Sequence, residues 1–480
     1  MSDDDLCLAP ATELAAWVRA KRVSPTEIVR AVLDRIDRLD AGINAFAQLT
    51  PDLALEMASD AEKAVARGEA TGALHGVPVT IKDLFDIKGL PTERGSFALA
   101  GHIADGDSPV TERLKGAGAV IIGKTTTSEF GWTGMSRSPR TGITHNPWKR
   151  GFNAGGSSAG AAAAAAMSFG PLHQGSDGAG SIRMPSHFCG VFGLKPTWGR
   201  IPHVPVRNSD NVSHVGPLSR TVADAALFLD ATTGAHPFDH TSLTDSDNTF
   251  SAALTGDLGE LKIAFSPDLG HARVDREVAD LVEQAARDFE SFGCRVEDVQ
   301  PSWGKDGPEI ARFFWAVHES PLAVHLEGFE DRMDPGLVAC IRAGSGHSAE
   351  TYLAMRARKL DYIERMHRFM ADWDLLLTPS VSVAAFPAER LQPEHWPGHP
   401  WDWLSWSEFC YPFNMSGLPA ASVPCGFTGD GLPVGLQIVG KRSDDSLVLR
   451  AAAAFERTRP WMQHRPPVGT ADTVGGHAKP

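Results

Sequence analysis

Residues 161 to 166 are six consecutive alanines, preceded by a Gly/Ser/Asn-rich stretch from Ser136 to Gly160. Alanine is the strongest helix former, so the run predicts a helix. Side chains no larger than a methyl group also let that helix lie close to a sheet. The neighbouring sequence supplies one. Gly76 to Asp83 alternates Val77, Val79 and Ile81 with polar residues, and Ala119 to Ile122 reads as a short buried strand. Leu261 to Phe265 and Arg295 to Val299 read as strands flanking a helix from Val274 to Phe292. Asp374 to Leu377 and Val434 to Val439 read as later strands. Strands alternating with helices predict an α/β sandwich around one mixed sheet.

The first 70 residues are different. Leu14, Trp17 and Val18 share one face of a helix over Ala11 to Ala20. Ser24-Pro25-Thr26-Glu27 is a capping box with proline at the first helical position. Ile28, Val32, Ile36 and Leu39 then repeat at helical spacing. A third helix is expected from Pro51 to about Gly68. A length of 480 residues sets a prior of roughly three domains, yet no stretch reads as a clean linker. The expected division is an N-terminal helical layer (1–70), one α/β body (71–465) and a flexible tail (466–480). The polar stretch from His240 to Gly259 is expected to be a surface loop.

Composition removes several classes. The hydrophobic fraction is 42% and the charged fraction 22%, which excludes disorder, collagen and coiled coil as whole-chain readings. A net charge of −14 repels a polyanion, so nucleic-acid binding by phosphate neutralisation is not expected. The cysteines (7, 189, 294, 340, 410 and 425) form no CxxC pair, so neither a zinc ribbon nor a dithiol redox site is supported. They read as reduced thiols of a cytoplasmic protein. The acidic start MSDDDLCLAP does not resemble a secretory signal. No apolar run is long enough to span a bilayer.

Three glycine-rich signals compete for the chemistry. Gly118 to Thr125 matches the P-loop pattern, with Lys124 as the phosphate ligand. Its inner residues, Ala-Val-Ile-Ile, read instead as the buried strand itself. Gly156-Ser157-Ser158-Ala159-Gly160 matches a nucleophile elbow centred on Ser158. That motif needs a strand before it, and Lys149 to Ala154 reads as a loop. In the third, Gly178 and Gly180 flank Ala179 just before Ser181. Such a turn can aim several backbone N–H groups at one point, as an oxyanion hole requires.

Lys82 in Val79-Thr-Ile-Lys-Asp83, Ser157 in Gly155-Gly-Ser-Ser158 and Ser181 in Gly180-Ser-Ile-Arg183 together resemble the amidase signature family, in order and separation. Gly123-Lys-Thr125, Asn146-Pro-Trp148, Gly193-Leu-Lys-Pro-Thr197, Gly216-Pro-Leu218, Pro412-Phe-Asn414, Gly417-Leu-Pro419 and Gly431 to Gln437 are similar too. The likeness runs from about residue 10 to about residue 465. It implies a single α/β/α sandwich around a large mixed β-sheet, with a catalytic core at 71–220 and a substrate-pocket region at about 300–415. It also implies a Ser-cisSer-Lys triad: Ser181 as nucleophile, Ser157 as the bridging serine after a cis peptide, and Lys82 as the base. The N–H groups of Gly178, Ala179, Gly180 and Ser181 would form the oxyanion hole. Ser158, Asp177 and Arg183 would support it. No metal or cofactor is implied. Many members have glycine where Ala179 stands. Glu93-Arg94-Gly95-Ser96 stands where small residues commonly precede Gly-Ser, so substrate contacts nearby do not carry over.

The residue types suit amide chemistry. An amide carbonyl is a poor electrophile, so the attacking hydroxyl must shed its proton. A lysine can accept that proton only when neutral. Its reference pKa of about 10.4 must fall by about 3 for half of it to be neutral near pH 7, which burial can achieve. A carboxylate close by would work against this, so Asp83 is expected to point away across the pleat.

The substrate is less legible. Trp396, Trp401, Trp403, Trp406, Phe409, Tyr411 and Phe413 form an aromatic stretch. Trp403, Trp406, Phe409 and Tyr411 are candidate walls of an apolar pocket; packing onto the core, or a homodimer contact, is the alternative. Phe313, Phe314 and Trp315 are a second candidate wall. The leading expectation is an amidohydrolase of small-molecule carboxylic amides, esters or anilides, with no nucleic-acid or membrane partner. The alternatives are the glutamine-hydrolysing component of a tRNA-dependent amidotransferase (its A subunit) and, from another class, a P-loop nucleotide-binding protein using Lys124.

Overall fold

The computed structural model describes residues 1–69, 71–206, 212–244 and 249–467. Eleven strands form one sheet: β1 (Phe46–Leu49), β2 (Pro78–Lys82), β3 (Val120–Thr125), β4 (Leu172–Asp177), β5 (Phe192–Lys195), β6 (His214–Ser219), β7 (Lys262–Phe265), β8 (Arg295–Asp298), β9 (Leu375–Pro379), β10 (Ala420–Phe427) and β11 (Pro433–Gly440). Their order is β1-β3-β2-β4-β6-β5-β10-β11-β9-β7-β8. β3, β2 and β4 run parallel, as do β9, β7 and β8, while the centre is antiparallel. The sheet is therefore mixed.

Side chains alternate across this pleat into two cores. Ile263, Phe265, Leu375, Leu377, Leu436 and Ile438 face one core. Ala264, Leu376 and Val439 face the other. The first core is closed by the N-terminal helices Ala11–Arg19, Pro25–Leu39 and Pro51–Arg67, with Val222–Thr232, Arg276–Arg287 and Asp445–Thr458. The second is closed by Gly307–Glu319, Pro335–Gly344 and Ala349–Ala371, with the Trp-rich segment. Layers on both faces make the α/β/α sandwich. The capping box expected at Ser24 and Glu27 is formed. The helix from Pro51 ends at Gly68, whose φ of +72° closes it.

The alanine run lies in the helix Ala159–Met167. Ala161, Ala162 and Ala165 pack on Ile182 and Leu218, and the helix is buried on nearly every side. Close approach is what the methyl side chains permit.

Two readings need correction. Lys149–Asn153 is not a loop but a strand, paired with His145–Asn146 in a small separate hairpin. It carries no apolar alternation, so its period is silent in sequence, and it does not belong to the main sheet. The stretch from His240 to Gly259 is not wholly superficial. Phe250 and Leu258 are buried in the first core, and Ser251–Leu254 forms a 3-10 turn. Of the tail expected at 466–480, residues 468–480 lie outside the described residues. No helix among the described residues is long and apolar enough to cross a membrane.

Candidate active site

β2 and β4 are parallel neighbours, so their C-terminal ends emerge at the same sheet edge. That edge is where open α/β sheets place their ligands. Lys82 ends β2, and Ser176 and Asp177 end β4. Lys82 is fully buried. Its Nζ donates to Ser157 Oγ at 2.8 Å, Ser158 Oγ at 2.9 Å and Ser176 Oγ at 3.1 Å. Asp83 turns to the other side of the strand and pairs with Lys124 Nζ at 2.8 Å.

Ser157 and Ser158 stand at the entrance to the alanine helix. The Gly156–Ser157 peptide is cis. Gly156 has no room for a side chain, because a Cβ there would lie 2.3 Å from the Met135 carbonyl oxygen. The Ser158 N–H donates to the Ser181 carbonyl at 3.2 Å, which ties the serine loop to the glycine loop. Ser158 Oγ is fully buried, donates to the Ser176 carbonyl at 3.1 Å and accepts from the Ser176 N–H at 3.3 Å. It is enclosed between Lys82 and β4, a supporting position that does not suit a nucleophile.

Asp177 organises the glycine loop. Its carboxylate accepts from the N–H groups of Gly180 (2.7 Å) and Ile182 (3.1 Å) and from Arg183 Nε (3.0 Å) and Nη2 (2.8 Å). Arg183 is fully buried and also donates to Asn414 Oδ1, Gln437 Oε1 and the Cys410 carbonyl. Asn414 Nδ2 donates back to Asp177 Oδ1 at 2.8 Å. Burial by itself would raise the Asp177 carboxyl, but the Arg183 charge and the bonds from Arg183 and Asn414 outweigh it and hold the group well below the ordinary range. Gly180, expected to serve the oxyanion hole, spends its N–H on Asp177. The N–H groups of Gly178, Ala179 and Ser181 have no acceptor among the described residues.

Ser157, Ser176, Gly178 and Ser181 line one cavity of about 260 Å³. Its walls are Leu84, Phe130, Val212 and Trp315, with Arg94, His318 and Glu319 as polar members. A largely apolar slot beside it is lined by Phe314, Tyr411, Ala179 and Leu404, and shares Gly178, Val212, Trp315 and His318. Two of the expected walls, Phe314 and Tyr411, thus line the slot beside the serine cavity and not the cavity itself. Trp403, Trp406 and Phe409 do not line the cavity. All three are fully buried, and the two indoles are satisfied inside the core: Trp403 Nε1 donates to the Trp132 carbonyl at 2.8 Å and Trp406 Nε1 to the Leu391 carbonyl at 3.0 Å. Trp403 packs edge-on against Trp315, with ring centroids 5.2 Å apart, and so backs a wall that it does not form.

Lys124 is not a phosphate ligand on an exposed loop. It is fully buried within β3 and donates to Asp83, Thr92 Oγ1 and the Pro91 carbonyl. Burial is the largest influence on both ends of the pair, raising the Asp83 carboxyl and lowering the Lys124 ammonium against their mutual attraction. Among the described residues, no group of three or more His, Cys, Asp or Glu side chains is placed to hold a metal ion. Sequence reasoning missed Ser176, Asn414 and Gln437 as members of the site. Asn414 and Gln437 lie in stretches that share the family likeness, but their distance along the chain from Asp177 conceals the contact.

With this geometry established, comparison with known proteins gives concordant matches. The sequence model of the family described as Amidase matches residues 27–449. An acylamidase of Rhodococcus erythropolis is 39% identical, over 97% of this chain and 98% of that protein. The A subunit of the glutamyl-tRNA(Gln) amidotransferase of Gloeobacter violaceus is 33% identical, over 95% of this chain and 97% of its own length. The crystal structure of a bacterial aryl acylamidase of the amidase signature family superimposes with a TM-score of 0.89 at 31% identity, covering 95% of this chain and 97% of the other.

Proposed function

This chain belongs to the amidase family, and from that premise we propose that it hydrolyses carboxylic amides through an acyl-enzyme on Ser181. The observation that carries the reading is the 2.8 Å contact between the buried Lys82 Nζ and Ser157 Oγ, with Ser157 lining the same cavity as Ser181. Full burial withdraws water from the lysine, and the reading requires its neutral amine. Neutral Lys82, donating to Ser158 and Ser176 with its lone pair turned to Ser157, takes the proton of Ser157 as Ser157 takes that of Ser181. The Ser181 oxygen then bonds to the amide carbon. The resulting oxyanion faces the N–H groups of Gly178, Ala179 and Ser181, which have no competing acceptor among the described residues. The proton returns from Lys82 through Ser157 to the departing nitrogen, and the carbon–nitrogen bond breaks. Water repeats the relay on the ester and releases the acid.

The reading assigns residues 71–220 to catalysis and 300–415 to the pocket, with residues 1–70 as an outer helical layer. The substrate is a small-molecule amide with an apolar portion, as the walls Leu84, Phe130 and Trp315 suit. Six buried unpaired cysteines and a charge of −14 support a cytoplasmic protein without a nucleic-acid or membrane partner. Labelling with a fluorophosphonate should mark Ser181, and a panel of amides from glutamine to anilides should show preference for the apolar members. Labelling confined to another serine would reject the assignment. The likeness to the glutamine-dependent amidotransferase supports a second reading, in which glutamine is the amide and a partner receives the ammonia. Glutaminase activity that rises only when partner proteins are added would favour it.

A further inference from the structure

Arg94 is a half-buried cation in the wall of the Ser157–Ser181 cavity. The backbone aims it there. Its φ is +52°, the following Gly95 has φ +66°, and its carbonyl accepts from the Phe130 N–H at 2.8 Å. That bond sets Arg94 beside the Phe130–Gly131 wall. Gly131 abuts the bridging serine, since a Cβ there would lie 3.3 Å from Ser157 Oγ. Trp315 stands instead beside Gly178, whose added Cβ would lie 3.7 Å from its ring. Arg94 is therefore on the Ser157 side of the cavity, the side from which the proton is handed to the departing amine.

Its chemistry is unspent. Arg94 Nε is shielded from solvent and has no hydrogen-bond partner among the described residues. The other charged or titratable wall groups, His318 and Glu319, are not without partners inside the protein. A guanidinium matches a carboxylate with two parallel bonds, and among the described residues no carboxylate pairs with Arg94, so the cavity-facing end of its side chain has its charge left for a ligand. We propose that Arg94 binds a carboxylate on the amine half of the substrate, so that the enzyme acts on N-acyl amino acids or N-acyl aminobenzoates. This rests on the amidase reading above.

The test compares kcat/KM for N-butyryl-4-aminobenzoate and its methyl ester, for succinanilic acid and its methyl ester, and for butyranilide. The wild type should favour the 4-aminobenzoate amide over its ester by about tenfold or more, mainly through KM. Arg94→Gln should collapse that ratio, and Arg94→Lys should keep part of it. A measurement independent of any variant is product inhibition, in which 4-aminobenzoate should compete better than its methyl ester. A ratio near one, a ratio that survives in Arg94→Gln, or a preference seen only with succinanilic acid would overturn the assignment. Hydrolysis of butyranilide without charge preference would reject this role for Arg94 alone. Failure to hydrolyse any of the amides would reject the amidase reading itself.

Discussion

Ser181→Ala deletes one oxygen and no other contact that holds the glycine loop, because Asp177 grips that loop through the Gly180 and Ile182 backbone. The variant should fold normally, lose fluorophosphonate labelling and drop by about 10⁴-fold or more in kcat. Lys82→Ala should fall comparably and remain labelled only slowly at neutral pH. Ser158→Ala should lose less than Ser181→Ala, because it removes one of the lysine's acceptors and not the attacking atom. Amide turnover by the three variants checks this order, and full activity in Ser181→Ala would refute it. Asp177→Asn should act on stability instead. It leaves the Arg183 charge buried without a counter-charge, at a cost of about 3–5 kcal/mol, measurable by urea unfolding. At this scale Lys82, Ser157 and Ser181 were legible from their motifs. Ser176 was not, since nothing marks a serine whose role is to face a lysine on the neighbouring strand.

The alanine helix and the glycine loop have little space to give. Ala161 is fully buried against Ile182 and Leu218, so Ala161→Leu should cost about 1–3 kcal/mol by overpacking and lower the melting temperature. Gly180 has φ +117°, and a Cβ there would come within 2.6 Å of Cys410 Cβ and 2.7 Å of its Sγ. Gly180→Ala should therefore displace the loop, and its kcat should fall more than its stability does. Activity and thermal melting of the same sample separate the two effects. Elements with a strong local signal, such as the capped helix Pro25–Leu39, were readable from sequence. The strand Lys149–Asn153 was not, because its pairing comes from a neighbouring hairpin segment and its residues carry no alternation.

Across the whole molecule, buried titratable groups set the response to acid. Burial lowers His173 to about 3 and His187 to about 4 from 6.5, so both contribute stability at neutral pH that is lost as pH falls. Burial raises Glu129 and Glu456 to about 7 from 4.5, so their contribution is present in acid and lost as pH rises through 7. Fully buried His214, which burial lowers well below 6.5, acts with the histidines, and the two sets oppose each other between about pH 4.5 and 6.5. Below 4.5 the carboxyls no longer compensate, and depressed Asp177 adds to the loss. Urea midpoints should therefore fall gently from pH 6.5 to 4.5 and steeply below. In Glu129→Gln the fall should already be steeper from near pH 6.5. A Glu129→Gln profile identical to that of the wild type would refute this balance. The sheet-and-helix class, the capped N-terminal helices and the candidate stretches around Lys82, Ser157 and Ser181 could be read from the chain alone, because each is written in neighbouring residues. It took the folded chain to put Phe314 and Tyr411 in the slot beside the cavity, Trp403 behind Trp315, and Arg94 in the same cavity wall as the serines. Those outcomes depend on which distant segments meet at one sheet edge, and local pattern does not encode distance across a core.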